Sequence, residues 1–409
     1  MIEHYRIAPL PLEDTMRSVS LAFLIAAVAG CRSDAPLPAP RLALSPSASQ
    51  PSYRLDQLST LAGNSQGGGI NNPGWVAGYS GRSDGTRHAA LWRSGVVTDL
   101  GTLGTASGLH SNVQWPGISD NGIVVGISQT DALDTLGESW SCSAFIAYTG
   151  HVCLGFVWQA GLMAALPTLG GENGFAAGVN NRGQVVGWAE TAVRDPTCQT
   201  PQLLQFRAVL WEPKRGTQRE LRPYPGDSTS AATAINQLGQ AVGISGACDV
   251  AVGRRSATHA VMWDGSAIID LGNLGGDFWH TPMAINNAGV VVGFSNPPGG
   301  DFDGDSLRAF LWTRDRGMQD LGRFAGDQFS EALGVNDSGQ VVGVSCGDVC
   351  HAVLWQNNRM YRLQDLISGG TADLLWSARA INATGQITGR LIDHVTGRFV
   401  AFVATPVTP

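Results

Sequence analysis

The chain has 409 residues, of which 14% are charged and 43% hydrophobic, with 53 glycines and a formal net charge of −7. Charged residues stand well below their usual share, and Lys214 is the single lysine, so no basic stripe is available to meet a nucleic-acid backbone. Few charges and abundant glycine suit many short strands joined by tight turns.

Residues 1–30 read as a signal peptide. Met16-Arg17-Ser18 opens a short basic segment, residues 19–28 are almost wholly apolar, and Val28-Ala29-Gly30-Cys31 follows. That run resembles a bacterial lipobox, in which the cysteine is acylated and becomes the new N-terminus. Glu13 and Asp14 fit poorly in a basic leader, which points to a start at Met16. The apolar stretch is too short to span a bilayer, so Cys31 is read as a lipid anchor rather than the end of a membrane helix. Arg32, not Asp, follows it, and likeness to known lipoproteins then favours the outer membrane. Residues 32–52, rich in Pro, Ala and Ser, are an extended tether.

From residue 53 onward one phrase recurs: an apolar residue, Asn or Ser, two variable residues, Gly, then a short apolar run ending in Gly. Its seven copies fall at 70–78, 118–126, 179–187, 235–243, 285–293, 335–343 and 381–389. A period near fifty residues marks one supersecondary unit used seven times. Asn bonding its own backbone and Gly supplying positive φ make the phrase a hairpin between strands one and two. A third strand recurs as 88–92, 207–211, 259–263, 308–312 and 351–355, each ending in Trp, with weaker copies at 155–158 and 398–402. A fourth is expected at 99–103 and 270–274, in the phrase Asp-Leu-Gly-x-Leu. Four short strands per unit describe a propeller blade.

The residue before each opening Ile or Val is always small (Gly69, Gly117, Gly178, Ala234, Ala284, Gly334, Ala380), as crowding of first strands around an axis requires. Residues 57–63 match the fourth-strand phrase with no blade before them, while the last blade lacks a fourth strand. The sequence therefore predicts an all-β, seven-bladed β-propeller over 53–409, made of four-stranded blades and closed by an N-terminal strand that completes the last one. Taken together, His-Ala-x-Leu-Trp, Ile-Asn-Asn-x-Gly and Asp-Leu-Gly-x-Leu-Gly-Gly resemble the HAF-type putative extracellular repeat, across essentially all of 53–402. The resemblance implies an exported bacterial repeat protein and brings no catalytic residues. Blade two departs most, with Leu154-Gly155 in place of His-Ala.

Antiparallel order puts the loop before strand one and the loop between strands two and three on one face, and the Asn-x-x-Gly turns on the other. From the Gly closing strand two to the Trp of strand three is 32 residues in blade two, 24 in blade three and 12 in blade six. Variable loops on a rigid scaffold are where function usually sits. The six cysteines after Cys31 all fall there, and export makes disulfides their expected state. Cys142–Cys153 and Cys346–Cys350 are placed for local bridges, leaving Cys198–Cys248 across neighbouring blades, one connectivity among the several that six cysteines allow. The Cys346…Cys350-His351 spacing is one residue too long for a haem-attachment sequence.

Trp115, Phe175, Phe278, Trp279, His280, Phe329 and Trp376 enter the first strands on the same face. They either ring a ligand-binding mouth, where aromatic faces stack on sugars, or fill space between blades. Asp301, Asp303 and Asp305 alternate around Gly304 as Ca²⁺ ligands do, although no later carboxylate closes the loop. Gly343-Val344-Ser345-Cys346-Gly347 matches a nucleophile elbow in letters only, because no helical pattern follows it. The sequence thus points to a monomeric, lipid-anchored binding module for a glycan or a protein, without a cofactor other than a possible Ca²⁺. A lyase or hydrolase with its site at the central funnel, or a structural envelope component, are the alternatives.

Overall fold

The computed structural model describes residues 50–407 apart from 301–303 and 305. The signal sequence, Cys31 and nearly all of the tether lie outside the described residues, as do Asp301, Asp303 and Asp305. The strands form seven antiparallel sheets of four, and the first of them, β1 (Tyr53–Gln57), belongs to the last sheet. Blade one is β2 (Ser65–Ile70), β3 (Val76–Gly81), β4 (Arg87–Arg93) and β5 (Val96–Asp99). Blade two is β6 (Ser111–Asn112), β7 (Val124–Leu133), β8 (His151–Gln159) and β9 (Leu162–Ala165), with the short helix α1 (Ser139–Ser143) between β7 and β8. Blade three is β10 (Gly170–Val179), β11 (Val185–Arg194), β12 (Leu204–Glu212) and β13 (Thr217–Leu221). Blade four is β14 (Thr229–Ile235), β15 (Ala241–Gly246), β16 (His259–Asp264) and β17 (Ala267–Asp270). Blade five is β18 (His280–Ile285), β19 (Val291–Ser295), β20 (Arg308–Thr313) and β21 (Gly317–Asp320). Blade six is β22 (Phe329–Val335), β23 (Val341–Cys346), β24 (Cys350–Gln356) and β25 (Arg359–Arg362). Blade seven is β26 (Leu374–Ile381), β27 (Ile387–Ile392), β28 (Phe399–Pro406) and β1.

Closure is as expected, with one correction. β1 pairs with β28 from Tyr53 opposite Pro406 to Gln57 opposite Phe402, so the completing strand lies upstream of 57–63. The same offset holds elsewhere, because β5 and β17 end at Asp99 and Asp270. The Asp-Leu-Gly phrase is the exit from strand four: Asp99 Oδ1 accepts the Gly101 N–H at 2.8 Å, Gly101 has φ 77°, and the chain crosses to the next blade.

Each residue of the repeat phrase has a physical task. The turn glycines 74, 122, 183, 239, 289, 339 and 385 all have φ between 75° and 87°, where a side chain would be strained. In every blade a Cβ on the closing glycine of strand two would overlap a carbonyl oxygen of strand one; for Gly243 it is that of Ala231. In six of the blades a bulge in strand one, as between Ala232 and Ala234, sits beside that glycine. The small residue after the bulge meets the neighbouring first strand, as Gly178 does at Ala234 and Gly334 at Ala380.

The asparagines join the blades. Asn286 accepts the Val290 and Ala288 N–H groups with Oδ1, closing its own turn, while Nδ2 donates to Asn336 O of the next blade at 3.0 Å. Asn71, Asn180, Asn236, Asn336 and Asn382 also donate to the next blade, Asn382 reaching Asn71 O across the closure. Ser119, too short to reach, breaks this belt between blades two and three. A second belt lies one residue on: Asn72, Asp120, Asn181, Gln237 and Asn287 each donate a backbone N–H to the next blade's side chain, and Ala383 N–H donates to Asn72. Its gap falls between blades six and seven, where Ala383 offers no acceptor. The two gaps do not coincide, so every junction is bonded. Ala383→Asn, at an exposed turn position, is expected to complete the second belt and stabilise the ring by about 1 kcal/mol. An unchanged urea midpoint would contradict that role.

On the other side, Ser111, Ser230, Ser330 and Ser65 accept the N–H of Ala89, Ala208, Ala309 and Ala401 in the preceding blade. Trp92, Trp211, Trp263 and Trp355 donate their indole N–H to the carbonyls of Ser59, Pro167, Arg222 and Leu321, again in the preceding blade. The third-strand basic residue closes on strand four: His88 on Asp99 (2.8 Å), Arg207 on Glu220 (3.4 Å) and Arg308 on Asp320 (4.0 Å). The repeated residues are inter-blade mortar.

Candidate functional site

The longest loops are those of blades two and three, and β7, β8, β10, β11 and β12 extend beyond the other blades to carry them on the face opposite the Asn turns. The expected bridges are present. Cys142 is bonded to Cys153, Cys346 to Cys350, and Cys198 of blade three to Cys248 of blade four. The cross-blade bridge is reinforced by Gln199 N–H donating to Asp249 O at 2.8 Å.

Beneath these loops the aromatic residues do not form an open mouth. Trp115, Phe175, Trp279 and Phe329 are buried in one apolar cluster shared by blades two to six, and Phe278 and Trp376 pack against it with only part of their surface in solvent. Trp115 meets Phe175 edge-on at 5.0 Å and Phe145 at 5.4 Å, and Phe175 stacks over Trp188 at 6.3 Å. Trp279 lies edge-on to Phe294 and under the Arg254 guanidinium, and Trp376 is edge-on to Phe399. His280 is fully buried, with Nδ1 2.8 Å from Ser295 Oγ, and burial pushes it down to about 4, so it is neutral. Of the two readings the sequence allowed, space-filling describes Trp115, Phe175, Trp279, His280 and Phe329, which are buried, while Phe278 and Trp376 keep part of their surface in solvent. The loop between β7 and β8, which lays Phe145 and Ile146 over the buried rings, is what sequence could not supply. Gly304 has φ 87°, and a Cβ there would press on the Trp279 ring.

Polar groups on this face are wired for structure. Ser245 Oγ donates to Asp227 Oδ2 at 2.7 Å, and His259 Nδ1 lies 2.9 Å from the same oxygen. The carboxylate therefore stands between hydroxyl and imidazole, whereas an activated serine needs the imidazole at its own oxygen. Asp373, Asp393 and His394 bring ligand-type atoms within 4.8 Å of one another. Gln57 Nε2 donates to both carboxylates (2.8 and 3.3 Å), and His394 holds Asp373 at 2.7 Å. Burial pushes the Asp373 carboxyl up, and hydrogen bonds from His394 and Gln57 outweigh it, leaving it below the usual range. This set fastens β1 to blade seven. Between blades two and three, Glu138 and Glu190 are both fully buried and share the Gln202 amide. Burial holds the Glu138 carboxyl above the usual range, and nothing there faces solvent. A cavity of about 330 Å³ lined by Gln240, Asn287, Trp312 and Arg314 lies on the turn side between blades four and five, among belt residues.

A different chemistry occupies one register position in two of the blades. In blades three to six the residue of strand one facing the closing glycine's neighbour pairs with a strand-two residue of the apolar cluster: Phe175 with Trp188, Ala231 with Ile244, Thr281 with Phe294, Glu331 with Val344. The same register positions in blades seven and one hold Ser377 with Arg390 and Gln66 with Tyr79, while blade two pairs Asn112 with Ile127 of the apolar cluster. All are buried, as is Arg379 at the blade-seven bulge. Sequence reasoning missed this set because it occupies no repeated letter.

No protein-family model matches the sequence, and no curated protein matches it. Solved structures do align with the fold. An acylaminoacyl peptidase of Pyrococcus horikoshii is 10% identical, with a TM-score of 0.42, over 88% of this chain and 52% of its own. A puromycin-hydrolyzing peptidase of Mycobacterium tuberculosis is 12% identical at TM-score 0.40, over 87% of this chain and 56% of its own. AofleA from Arthrobotrys oligospora is 8% identical at TM-score 0.38, over 76% of this chain and 89% of its own. This chain spans about half the length of the two peptidases.

Proposed function

We propose that this protein is an exported, lipid-anchored binding module of the bacterial envelope, held by Cys31 and its tether, which recognises a glycan or a protein through the loop-bearing face of the ring. The observation that carries this reading is that all three disulfides brace loops of one face. Braced loops on a closed scaffold hold their shape before a partner arrives, which lowers the ordering cost of binding. Leu133 and Val193, at the ends of the two longest second strands, are 66% and 55% exposed and offer apolar contact there.

The test is a glycan, polysaccharide and envelope-protein binding screen on purified 52–409, with Leu133→Ser/Val193→Ser as the probe. Both positions are exposed, so the variant is expected to melt like the parent. Loss of binding by tenfold or more in the variant supports the loop face. Absence of any partner, or binding that the variant leaves intact and turn-face changes remove, overturns it.

A further inference from the structure

An Asp just before strand one recurs as Asp227, Asp327 and Asp373, but its surroundings change in the last blade. In blade four a hydroxyl and an imidazole of the same sheet, Ser245 and His259, take up the Asp227 carboxylate, and in blade six Ser345 takes up Asp327. The register positions of Ser245 and His259 hold Leu391 and Val400 in blade seven. Asp373 therefore lacks the partners of the repeat and meets a second carboxylate, Asp393, with His394 beside it. One ligand-type atom from each of the three lies within 4.8 Å of the others. Like charges this close repel. His394 is the only basic side chain within ion-pair distance of either carboxylate among the described residues, so the set is short of positive charge.

The spacings suit one small ion. Asp373 presents Oδ1 to His394 Nδ1 at 2.7 Å and Oδ2 to Gln57 Nε2 at 2.8 Å, and the same Gln57 nitrogen is 3.3 Å from Asp393 Oδ2. Ligand atoms about 2.0–2.2 Å from a cation stand about 3 Å apart when adjacent, which is close to these separations. Asp393 Oδ1 accepts the Thr396 N–H and hydroxyl at 2.7 and 2.6 Å, which orients the carboxylate and leaves Oδ2 for the ion. Gln57 bridges both carboxylates with a donor, and a half turn of its amide puts Oε1 in the same place as a further ligand. Asp373 is buried, whereas the His394 side chain is 55% exposed and gives the ion a way in from solvent. An imidazole among carboxylates favours Zn²⁺ or a neighbouring transition ion over Ca²⁺, which asks for about six to eight oxygens.

We propose that Asp373, Asp393, His394 and Gln57 form a Zn²⁺-type divalent-cation site that clasps the N-terminal strand to blade seven. The ion takes the place of the Nδ1 proton between His394 and Asp373, and that proton leaves to solvent. Two carboxylates and a neutral imidazole then balance a dication. Because β1 completes the last sheet, the ion binds the closed ring and not the open one, and it stabilises closure by linkage. The site goes beyond the loop-face reading and does not rest on it.

Titration calorimetry of metal-stripped 52–409, which holds every described strand, with Zn²⁺, Mn²⁺, Ca²⁺ and Mg²⁺ tests it, together with urea unfolding in the presence and absence of Zn²⁺. One Zn²⁺ per chain is expected, with Ca²⁺ and Mg²⁺ at least tenfold weaker and the urea midpoint raised by Zn²⁺. Asp393→Asn and His394→Gln are each expected to weaken Zn²⁺ at least tenfold and to remove its effect on the midpoint. His394 is exposed, so His394→Gln keeps the test decisive if Asp393→Asn fails to fold. No Zn²⁺ bound, or Zn²⁺ that His394→Gln holds as tightly as the parent, overturns the site. Ca²⁺ bound as tightly as Zn²⁺ and unaffected by His394→Gln would mean an acidic surface alone and overturns it as well.

Discussion

A chain that begins at Leu58 is expected to lose its cooperative unfolding transition, although it lacks only the tether and β1. β1 is the fourth strand of blade seven, and without it Phe402 and Ala404 stand at an open sheet edge. Tyr53 is 1% exposed and packs with Leu363, Leu366, Leu375 and Leu391, while burial pushes its phenol up to about 12. Tyr53→Ala alone removes a buried aromatic ring, which costs about 3–5 kcal/mol. Removing the strand also takes away five register pairs, the Gln57 bonds to Asp373 and Asp393, and the cover of an edge that would otherwise pair with other chains. Urea unfolding followed by tryptophan fluorescence checks both. The point variant should show a lower midpoint with an unchanged slope, and the truncated chain a broad transition or aggregation. A truncated chain that melts like the parent would mean that the ring does not depend on its N-terminal strand.

The architecture was legible because the repeated letters are the ones that bond between blades. Asn286 stands where a side chain must accept within its own turn and donate to the next blade. Trp263 needs an indole N–H that reaches the preceding blade, and Gly243 sits where a methyl group would strike a carbonyl oxygen. Such demands recur in most of the blades, so they leave a period in the sequence. The fourth strand lies a few residues before the expected span because the recurring Asp-Leu-Gly marks a turn, while the strand before it, Val96–Asp99 or Ala267–Asp270, has no fully buried residue and repeats no letter but its closing Asp. The centre was not legible for the same physical reason in reverse. Phe175, Ala231, Thr281, Glu331, Ser377 and Gln66 occupy one register position and share no chemistry. Only the bulge in strand one tells which residues those are. The aromatics were placed on the correct face, but whether they are open depends on Phe145 and Ile146, delivered by a loop with no repeat to read.

The three disulfides are expected to differ in worth by the length of chain each closes. Their separations are 50 residues for Cys198–Cys248, 11 for Cys142–Cys153 and 4 for Cys346–Cys350. Loop-closure entropy then assigns about 4, 3 and 2 kcal/mol respectively to the paired Cys→Ala variants. The first bridge has a further consequence, because it anchors the segment that carries Gln202, Leu203 and Leu204. Those residues supply the bonds to Glu138: the Gln202 amide at 3.2 Å and the Leu203 and Leu204 N–H groups at 2.8 and 2.5 Å. Freeing the segment leaves a buried carboxylate without donors, which costs more than the loop entropy alone. Cys198→Ala/Cys248→Ala should therefore show the lowest urea midpoint of the three, and amide exchange in its β11–β12 loop should rise before that of the blades. If the short Cys346–Cys350 variant proved the most damaged, chain closure would not be what these bridges contribute. Their value would then lie in local packing, since Cys346 and Cys350 both belong to the central apolar cluster.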